Sequence, residues 1–306
     1  MPIFPITFSI PDEKIINVIP IKRKIISNLI PGQINTYIYD NEEDYYNEYR
    51  QSLFAVTKKK GGWDCMRHYE ILANGCIPFF ENLENCPTNT LTLLPKDLLI
   101  EGNSLFNKFK EKNINDLVDS DLYEYNTLAK KLLDYTKNNL TTSKIAIYIL
   151  EKTGLKNSKN ILYLSGETSP DYLRCLTLHG FKTLLGVNCH DYPQIPHIYK
   201  YNNLNYKQLY GKGISYSNLL DPILHDNNLD NNIEDNIKNK YFDIVIYGSC
   251  HRGMPFFDLV KNIYKPNEII MLCGEDFHTS QNLSICNLYL YSDSDTKYNI
   301  FIRELY

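Results

Sequence analysis

Short apolar segments alternate with longer amphipathic segments in two separate parts of the sequence. In the first part, SLFAVT (52–57) and CIPFF (76–80) predict strands, because both are apolar runs of strand length. WDCMRHYEILAN (63–74) lies between them and predicts a helix that ends at Gly75. Parallel strands need such a crossover helix, so the order strand–helix–strand predicts an α/β fold with parallel sheets.

The second part repeats this order from residue 160 onward. SPDYLRCLTLHGFKTLLG (169–186) predicts a helix, with Ser169 as its N-cap and Pro170 in its first turn. The Asn-rich, charged segment 226–240 predicts a surface loop. The strands predicted in this part are NILYLSG (160–166), YFDIVIYGS (241–249) and NEIIMLCGED (267–276).

A polar stretch at 111–157 separates the two parts and contains amphipathic pieces that predict helices. We expect two Rossmann-like domains that face each other across one cleft. The first domain spans 1–110 and the second spans 158–306. The helical connection at 111–157 is expected to cross between them.

The composition excludes several classes of protein. A net charge of −4 and a pI near 6.0 provide no basic field, so no nucleic-acid partner is expected. No apolar run approaches the roughly 18 residues that a membrane-spanning helix needs. The eight cysteines form no CxxC pair and several lie in apolar runs. This usage predicts a reducing, cytoplasmic location without disulfides or structural zinc.

Polar side chains are concentrated directly after four of the predicted strands. A strand needs only one or two turn residues to reach its helix, so this density exceeds what folding requires. In open parallel sheets, ligands bind beyond the carboxyl ends of the strands. We therefore expect a binding cleft at these loops. The four loops are TKKKGGWD (57–64), SGETSPD (165–171), GSCHRG (248–253) and CGEDFH (273–278).

The first of these loops combines cations with the start of a helix. Three lysines and Arg67 supply positive charge, two glycines allow close approach, and the helix start supplies N–H groups, which together suit a diphosphate. Glu70 can accept hydrogen bonds from sugar hydroxyls. A solvated charge run with a core Trp and a surface Glu explains the same residues equally well. The candidate ligand-binding residues are Lys58, Lys59, Lys60, Gly61, Gly62, Trp63, Asp64, Arg67 and Glu70.

The segment WDCMRHYEILANGCIPFF (63–80) resembles the donor-sugar motif of glycosyltransferases with the two-domain GT-B fold, in particular the exostosin-like and fucosyltransferase-like families. The wider stretch 36–87 is similar to glycosyltransferase-like proteins of large DNA viruses and some microbes. His68 departs from the better-known families, and the motif assigns it no role. The matching residues are Arg67, Glu70, Gly75, Ile77 and Pro78.

The resemblance implies a nucleotide-diphosphate-sugar donor and a hydroxyl acceptor such as a glycan. Glu70 would hold ribose or sugar hydroxyls, while Arg67 and one of the lysines at 58–60 would hold the diphosphate. Fixed cations would then replace the metal ion that other transferases use, so no metal and no cofactor are expected. The first domain would bind the donor and the second would bind the acceptor.

An inverting transferase also needs a general base that takes the proton from the acceptor hydroxyl. Asp171 is one candidate, although its place in the first turn of a helix is favourable for a negative charge in any case. HDYPQIPHIY (190–199) is a weaker candidate, since its two histidines need not face the same way. The catalytic candidates are Asp171, His251, Glu275 and Asp276, with His278 in the loop of the last two.

The two domains stand in the reverse of the order found in ordinary GT-B enzymes, where the acceptor domain comes first. YNIFIRELY (298–306) reads as if it continued into PIFPITFSIPDEKI (2–15). This predicts a circular permutation, with residues 1 and 306 near the hinge and within about 25 Å of each other, a span of some eight extended residues.

Two other functions remain open at the level of sequence. The carboxylates and histidines at His251, Glu275, Asp276 and His278 also suit a metal-dependent hydrolase or transferase. A non-catalytic nucleotide-sugar-binding protein would keep the first loop and lack a working base.

Overall fold

The computed structural model describes residues 3–276 and 298–306, and these residues form an α/β protein. The strands are β1 (Ile3–Pro5), β2 (Lys24–Ile26), β3 (Ser52–Thr57), β4 (Ile77–Phe80), β5 (Ile161–Leu164), β6 (Cys189–Tyr192), β7 (Ile244–Tyr247), β8 (Ile269–Cys273) and β9 (Asn299–Ile302). They form a three-stranded sheet of order β2-β3-β4 and a six-stranded sheet of order β1-β9-β8-β7-β5-β6. All of these strand pairs are parallel, which confirms the predicted class.

The smaller sheet contains the strand–helix–strand unit that the sequence predicts. β3 is buried along most of its length and leads through the lysine-rich loop into a helix that stops where Gly75 takes a left-handed conformation, with φ of 60°. A third helix follows β4. The helices of this part are α1 (Glu42–Arg50), α2 (Met66–Ala73), α3 (Lys96–Phe109) and α4 (Asp119–Asn139).

The larger sheet is doubly wound. β5 lies between β6 and β7, so the chain leaves β5 on one side and later returns on the other. Such a reversal of strand order leaves a crevice beyond the carboxyl ends of the two strands that flank it, here β5 and β7. The helices of this part are α5 (Thr142–Thr153), α6 (Tyr172–Leu185), α7 (Asn227–Asn231), α8 (Ile233–Lys238) and α9 (Phe257–Ile263).

Helices α5 and α6 pack closely against each other. The predicted domain boundaries place α5 in the helical connection at 111–157 and α6 in the second domain. Gly180 makes this approach possible, because a Cβ added there would lie 2.1 Å from the carbonyl oxygen of Thr142. The second half of the 111–157 segment is therefore part of the helical layer on the larger sheet.

β1 also lies outside the sheet that the predicted domain boundaries imply, since residues 1–110 are expected to form the first domain. Ile3 of β1 pairs with Ile300 of β9, so the chain's first strand extends the larger sheet rather than the smaller one. Residues 1 and 2 lie outside the described residues, so the predicted distance between residues 1 and 306 stays a prediction. Among the described residues, β1 and β9 are neighbouring strands.

Two local predictions were wrong. Asp171, rather than Ser169, caps α6, because its carboxylate accepts a hydrogen bond from the backbone N–H of Arg174 at 3.0 Å. The Asn-rich segment forms α7 and α8 instead of a loop. Ile233 and Ile237, one helical turn apart, are both buried and give α8 an apolar face.

The two sheets meet at their carboxyl ends. Glu304, two residues after the end of β9, accepts hydrogen bonds from the backbone N–H groups of Trp63 and Asp64, which follow β3. One apolar cluster continues through this contact and includes Phe8, Trp63 and Leu173. Among residues 3–276 and 298–306, no helix is long and apolar enough to cross a bilayer.

Candidate functional site

The lysine-rich loop after β3 is held at both ends by His68. The Nδ1 atom of this buried ring lies 2.9 Å from the hydroxyl of Thr57, and its Nε2 atom lies 2.8 Å from the carbonyl oxygen of Trp63. A carbonyl can only accept, so Nε2 carries the proton and Nδ1 accepts from Thr57. Burial lowers the pKa of His68 to about 3 despite this carbonyl contact, which keeps the ring neutral. His68 thus fixes the span of the loop.

Within the loop, the lysines remain accessible. Lys59 and Lys60 are exposed and Lys58 is half-buried, while Gly61 is half-buried. The ammonium group of Lys59 lies 5.3 Å from the centre of the Trp63 ring. The loop therefore presents positive charge at the carboxyl end of β3, as the sequence predicts.

The backbone amides at the end of this loop already bind a carboxylate. The two oxygens of Glu304 accept hydrogen bonds from the N–H groups of Trp63 at 3.0 Å and of Asp64 at 2.9 Å. Gly62 makes room for this contact, since a Cβ there would lie 2.3 Å from Glu304. Arg303 supports the carboxylate from the other side at 2.8 Å. These amides and Gly62 serve the contact between the sheets.

Asp64 and Trp63 are interior residues. One Asp64 oxygen accepts from the backbone N–H of Phe8 at 2.7 Å, and the other accepts from the hydroxyl of Tyr69 at 2.8 Å. Burial raises the pKa of Asp64 to about 7, although the charge of Arg303 opposes the shift. Trp63 packs its ring beside Phe80. Asp64 is held by its hydrogen bonds and Trp63 by its packing, so both side chains have a structural role and neither needs a ligand.

Arg67 and Glu70 are buried on α2, with 9% and 6% of their surface exposed. Arg67 donates from Nε to the hydroxyl of Tyr37 at 2.9 Å, but its Nη1 is buried and has no hydrogen-bond partner. Glu70 accepts from the hydroxyls of Tyr45 at 2.7 Å and Ser215 at 2.6 Å. Burial raises the pKa of Glu70 and these hydrogen bonds oppose the shift. The expectation of a surface Glu is therefore wrong.

Ser215 brings the larger-sheet half of the chain onto this site. Its hydroxyl also lies 2.6 Å from the hydroxyl of Tyr46, and its backbone N–H donates to Glu42 at 2.8 Å. Ser215 has a φ of 72°, in the left-handed region that few non-glycine residues adopt. The Arg67–Glu70 pair consequently lies where the two halves touch.

At the crevice beyond β5 and β7, the carboxylate of Asp171 already has hydrogen-bonding and charged partners. Besides capping α6, its carboxylate lies 3.0 Å from Nε of Arg252, which also pairs with Glu167 at 2.6 Å. Gly166 lets the two loops touch, because a Cβ there would lie 2.4 Å from the carbonyl oxygen of Arg252. A carboxylate held by a cap and an ion pair is poorly suited to act as a general base.

The remaining catalytic candidates differ in their contacts. Asp276 forms an ion pair with Arg303, which itself donates to the carbonyl of Gly274 at 3.0 Å. Glu275 has one buried oxygen, and His251 has a buried Nδ1, with no hydrogen-bond partner in either case. His278 lies outside the described residues. Glu275 and His251 therefore keep the free capacity that a base requires.

Sequence reasoning missed several residues that complete these sites. Ser215, Tyr37 and Glu304 reach the Arg67–Glu70 pair or the lysine-rich loop from distant parts of the chain, and no local spacing marks them. His225 and Asp230 lie beside His190, one of the two histidines in the weaker candidate segment. His197, the other histidine of that segment, lies 3.3 Å from the sulfur of Cys175 instead.

The fold and these contacts define a parallel α/β protein with two sheets that meet at their carboxyl ends. No family model matches the chain, and neither a curated protein nor a solved structure matches it.

Proposed function

We propose that the chain is a glycosyltransferase that moves a sugar from a nucleotide-diphosphate donor to a hydroxyl acceptor. The observation that carries the proposal is the buried Arg67, whose Nη1 has no partner, next to the buried carboxylate of Glu70. A charged donor left unsatisfied in the interior costs free energy, whereas a diphosphate oxygen would satisfy it. These are the two polar residues on which the resemblance to donor-sugar motifs rests.

The lysine-rich loop supplies the rest of the diphosphate site. Lys59 and Lys60 are exposed at the carboxyl end of β3, near the start of α2. Because Glu304 binds the amides of Trp63 and Asp64, the diphosphate is held by side-chain cations rather than by these amides. Fixed cations stabilise the leaving diphosphate in place of a metal ion.

The arrangement of the sheets supports a GT-B architecture with permuted domain order. In the described chain, the carboxyl ends of β3 and β9 face each other through Glu304, as the strand ends do across a GT-B cleft. β1 and β9 are neighbouring strands, which agrees with a permutation because chain ends that lie close together can be joined at low cost. Acceptor binding is assigned to the crevice beyond β5 and β7.

The acceptor hydroxyl needs a base, and we assign this role to Glu275 or His251. Oε2 of Glu275 and Nδ1 of His251 are buried and have no hydrogen-bond partner, so either atom can take a proton without breaking an existing hydrogen bond. The metal-dependent alternative is less well supported, because one of its proposed ligands, Asp276, is paired with Arg303. A non-catalytic nucleotide-binding protein would share the donor site and show no turnover.

The test is thermal unfolding with UDP, GDP, CMP and their sugars at millimolar concentration. A nucleotide present at 100 times its Kd stabilises the folded state by about 2.7 kcal/mol. We expect one nucleotide to raise the melting temperature of the wild type, and Arg67→Ala and Glu70→Gln to lose that rise. Arg23→Ala, which removes an exposed cation, serves as the control and should keep it.

The proposal fails if no nucleotide raises the melting temperature, or if the Arg67 and Glu70 variants respond like the wild type. If a nucleotide does bind, slow hydrolysis of the donor sugar in the absence of acceptor would separate a transferase from a binding protein. A nucleotide that binds with no hydrolysis and no transfer to any hydroxyl acceptor would favour the binding protein.

A further inference from the structure

We infer that His190, His225 and Asp230 form a binding site for a divalent transition-metal ion of the Zn²⁺ type, at the β6 edge of the larger sheet. This inference does not depend on the proposed glycosyltransferase activity. It departs from the expectation of no metal, which rested on cysteine spacing and on the lysine-rich loop. Histidine nitrogen and carboxylate oxygen are both ordinary ligands of zinc.

The three side chains converge from separate segments. His190 lies in β6, Asp230 lies in α7, and His225 lies shortly before α7. Nε2 of His190 is 2.9 Å from one oxygen of Asp230, and Nε2 of His225 is 3.0 Å from the other. No two of the ligand atoms are more than 4.8 Å apart. Tetrahedral ligands at zinc bond lengths lie about 3.3 Å from one another, so small shifts suffice.

His225 has the supporting contact that metal-bound histidines usually have. Its Nδ1 lies 3.1 Å from Asp191, so this nitrogen donates to a carboxylate while Nε2 points to the ion. Asp191 is fixed in turn by the ammonium group of Lys182 at 2.9 Å and by the hydroxyl of Tyr199 at 2.7 Å. This carboxylate–histidine arrangement sets the tautomer that binding requires.

The second observation concerns His190, which is 1% exposed. Its Nε2 faces Asp230 and is the atom that would bind the ion, while its Nδ1 is buried without a partner. The ring stacks on His225 with the centroids 5.0 Å apart, which aligns the two Nε2 atoms toward Asp230. The ion would lie between these nitrogens and Asp230, with the Nε2 proton of His190 moving to its own Nδ1. The Nε2 proton of His225 would leave to solvent, while His225 keeps the Nδ1 proton that faces Asp191.

The side chain of Asp230 is 27% exposed, so the ion can be reached from solvent and can keep a water as its fourth ligand. Two of the ligands belong to the connection between β6 and β7, and one belongs to β6 itself. Binding therefore attaches this connection to the sheet edge. We expect the ion to stabilise the fold, as structural sites do.

The experiment uses the full chain, stripped of metal with a chelator and dialysed. Zn²⁺ is titrated in competition with a chromophoric chelator, and Co²⁺ is added separately to read the ligand type from visible absorption. We expect one equivalent of Zn²⁺ to bind and to raise the melting temperature. We also expect visible Co²⁺ bands without the near-ultraviolet band of thiolate ligation.

His225→Gln and Asp230→Asn should each weaken Zn²⁺ binding at least tenfold. His197→Gln is the matched control, because His197 is also a buried histidine but contacts Cys175. It should bind as the wild type does. Retained binding in both cluster variants, or a thiolate band with Co²⁺, would overturn the inference.

If the variants do not fold, the wild type alone decides. One saturable equivalent with the nitrogen and carboxylate spectrum supports the site. Absence of saturable binding, or binding only through thiolates, rules it out.

Discussion

The carboxylate of Glu304 accepts a hydrogen bond from the backbone N–H of Trp63 at 3.0 Å, and this contact joins the carboxyl ends of the two sheets. Glu304 is 1% exposed and is also paired with Arg303. A protein carboxylate thus takes the position at the end of the lysine-rich loop where an anionic ligand could bind. The stability of the contact between the halves and the shape of the loop depend on the same residue.

Glu304→Ala should strongly destabilise the protein. The substitution removes one of the two carboxylates that pair with Arg303 and leaves two backbone amides buried without their acceptor, and each unpaired buried amide costs about 1–3 kcal/mol. Chemical denaturation measures the change in the free energy of unfolding. Glu111→Ala, an exposed substitution, should change it by less than about 0.5 kcal/mol. A loss below about 1 kcal/mol for Glu304→Ala would contradict the buried pair.

Asp64 should make stability decrease as the pH rises. Its folded pKa of about 7 lies above the ordinary value near 4, so the folded state holds a proton that the unfolded state has released. This contribution is fully present below pH 4 and is lost as the pH rises through 7. We expect the free energy of unfolding of the wild type, relative to Asp64→Asn, to fall by about 1.4 kcal/mol per pH unit in that window. Urea denaturation between pH 4 and 8 tests this, and a flat difference would refute it.

His68 should make stability increase as the pH rises, the opposite of the effect of Asp64. Its folded pKa of about 3 lies below the ordinary value near 6.5, so the unfolded state binds a proton that the folded state does not. This contribution is present above pH 6.5 and is lost as the pH falls toward 3. The stability of the wild type relative to His68→Gln should therefore rise by about 1.4 kcal/mol per pH unit between pH 3 and 6.5. Equal slopes for the two proteins would show that His68 titrates normally.

Ser215→Ala should destabilise the contact between the loop that carries Ser215 and the first helices. The substitution removes the hydrogen bonds to Glu70 and Tyr46 and leaves polar atoms buried, which costs about 1–3 kcal/mol. Ser104→Ala is the control, since Ser104 is exposed on α3 and bonds only within its helix. The same denaturation assay should show almost no change for it. Similar values for both variants would contradict the role of Ser215.

If the chain transfers sugar, loss of the base should slow turnover without loss of donor binding. Glu275→Gln or His251→Ala should reduce kcat about 10²–10⁴-fold, the usual contribution of a general base. Asp171→Asn should act mainly on stability, because Asp171 caps α6 and pairs with Arg252. Turnover near that of the wild type in both base variants would remove the base from this crevice.

The local pattern of the sequence predicted the elements whose burial is set by their own residues. β3 and β4 are apolar runs, and α2 ends where Gly75 can take a left-handed conformation. β6 has the sequence CHDY, which no apolar pattern marks as a strand. It is buried because the long connection to β7 covers it, and that is a tertiary effect.

In the candidate site, too, the local sequence pattern does not reveal contacts between distant parts of the chain. The motif located Arg67 and Glu70, but it could not show that Tyr37 and Ser215 are their partners, because these contacts join distant parts of the chain. Asp171 looked like a candidate base because of its loop, while its carboxylate in fact caps a helix. The type of residue was readable from the sequence, but its partners were not.

The pairing of β1 with β9 has a consequence for synthesis. β1 is synthesised long before its strand partner in the described chain, β9, because Ile3 pairs with Ile300. Until then, β1 has no neighbouring strand, and β8 also lacks its neighbour on that side. The larger sheet can therefore be completed only once β9 has been synthesised, while the smaller sheet can form much earlier.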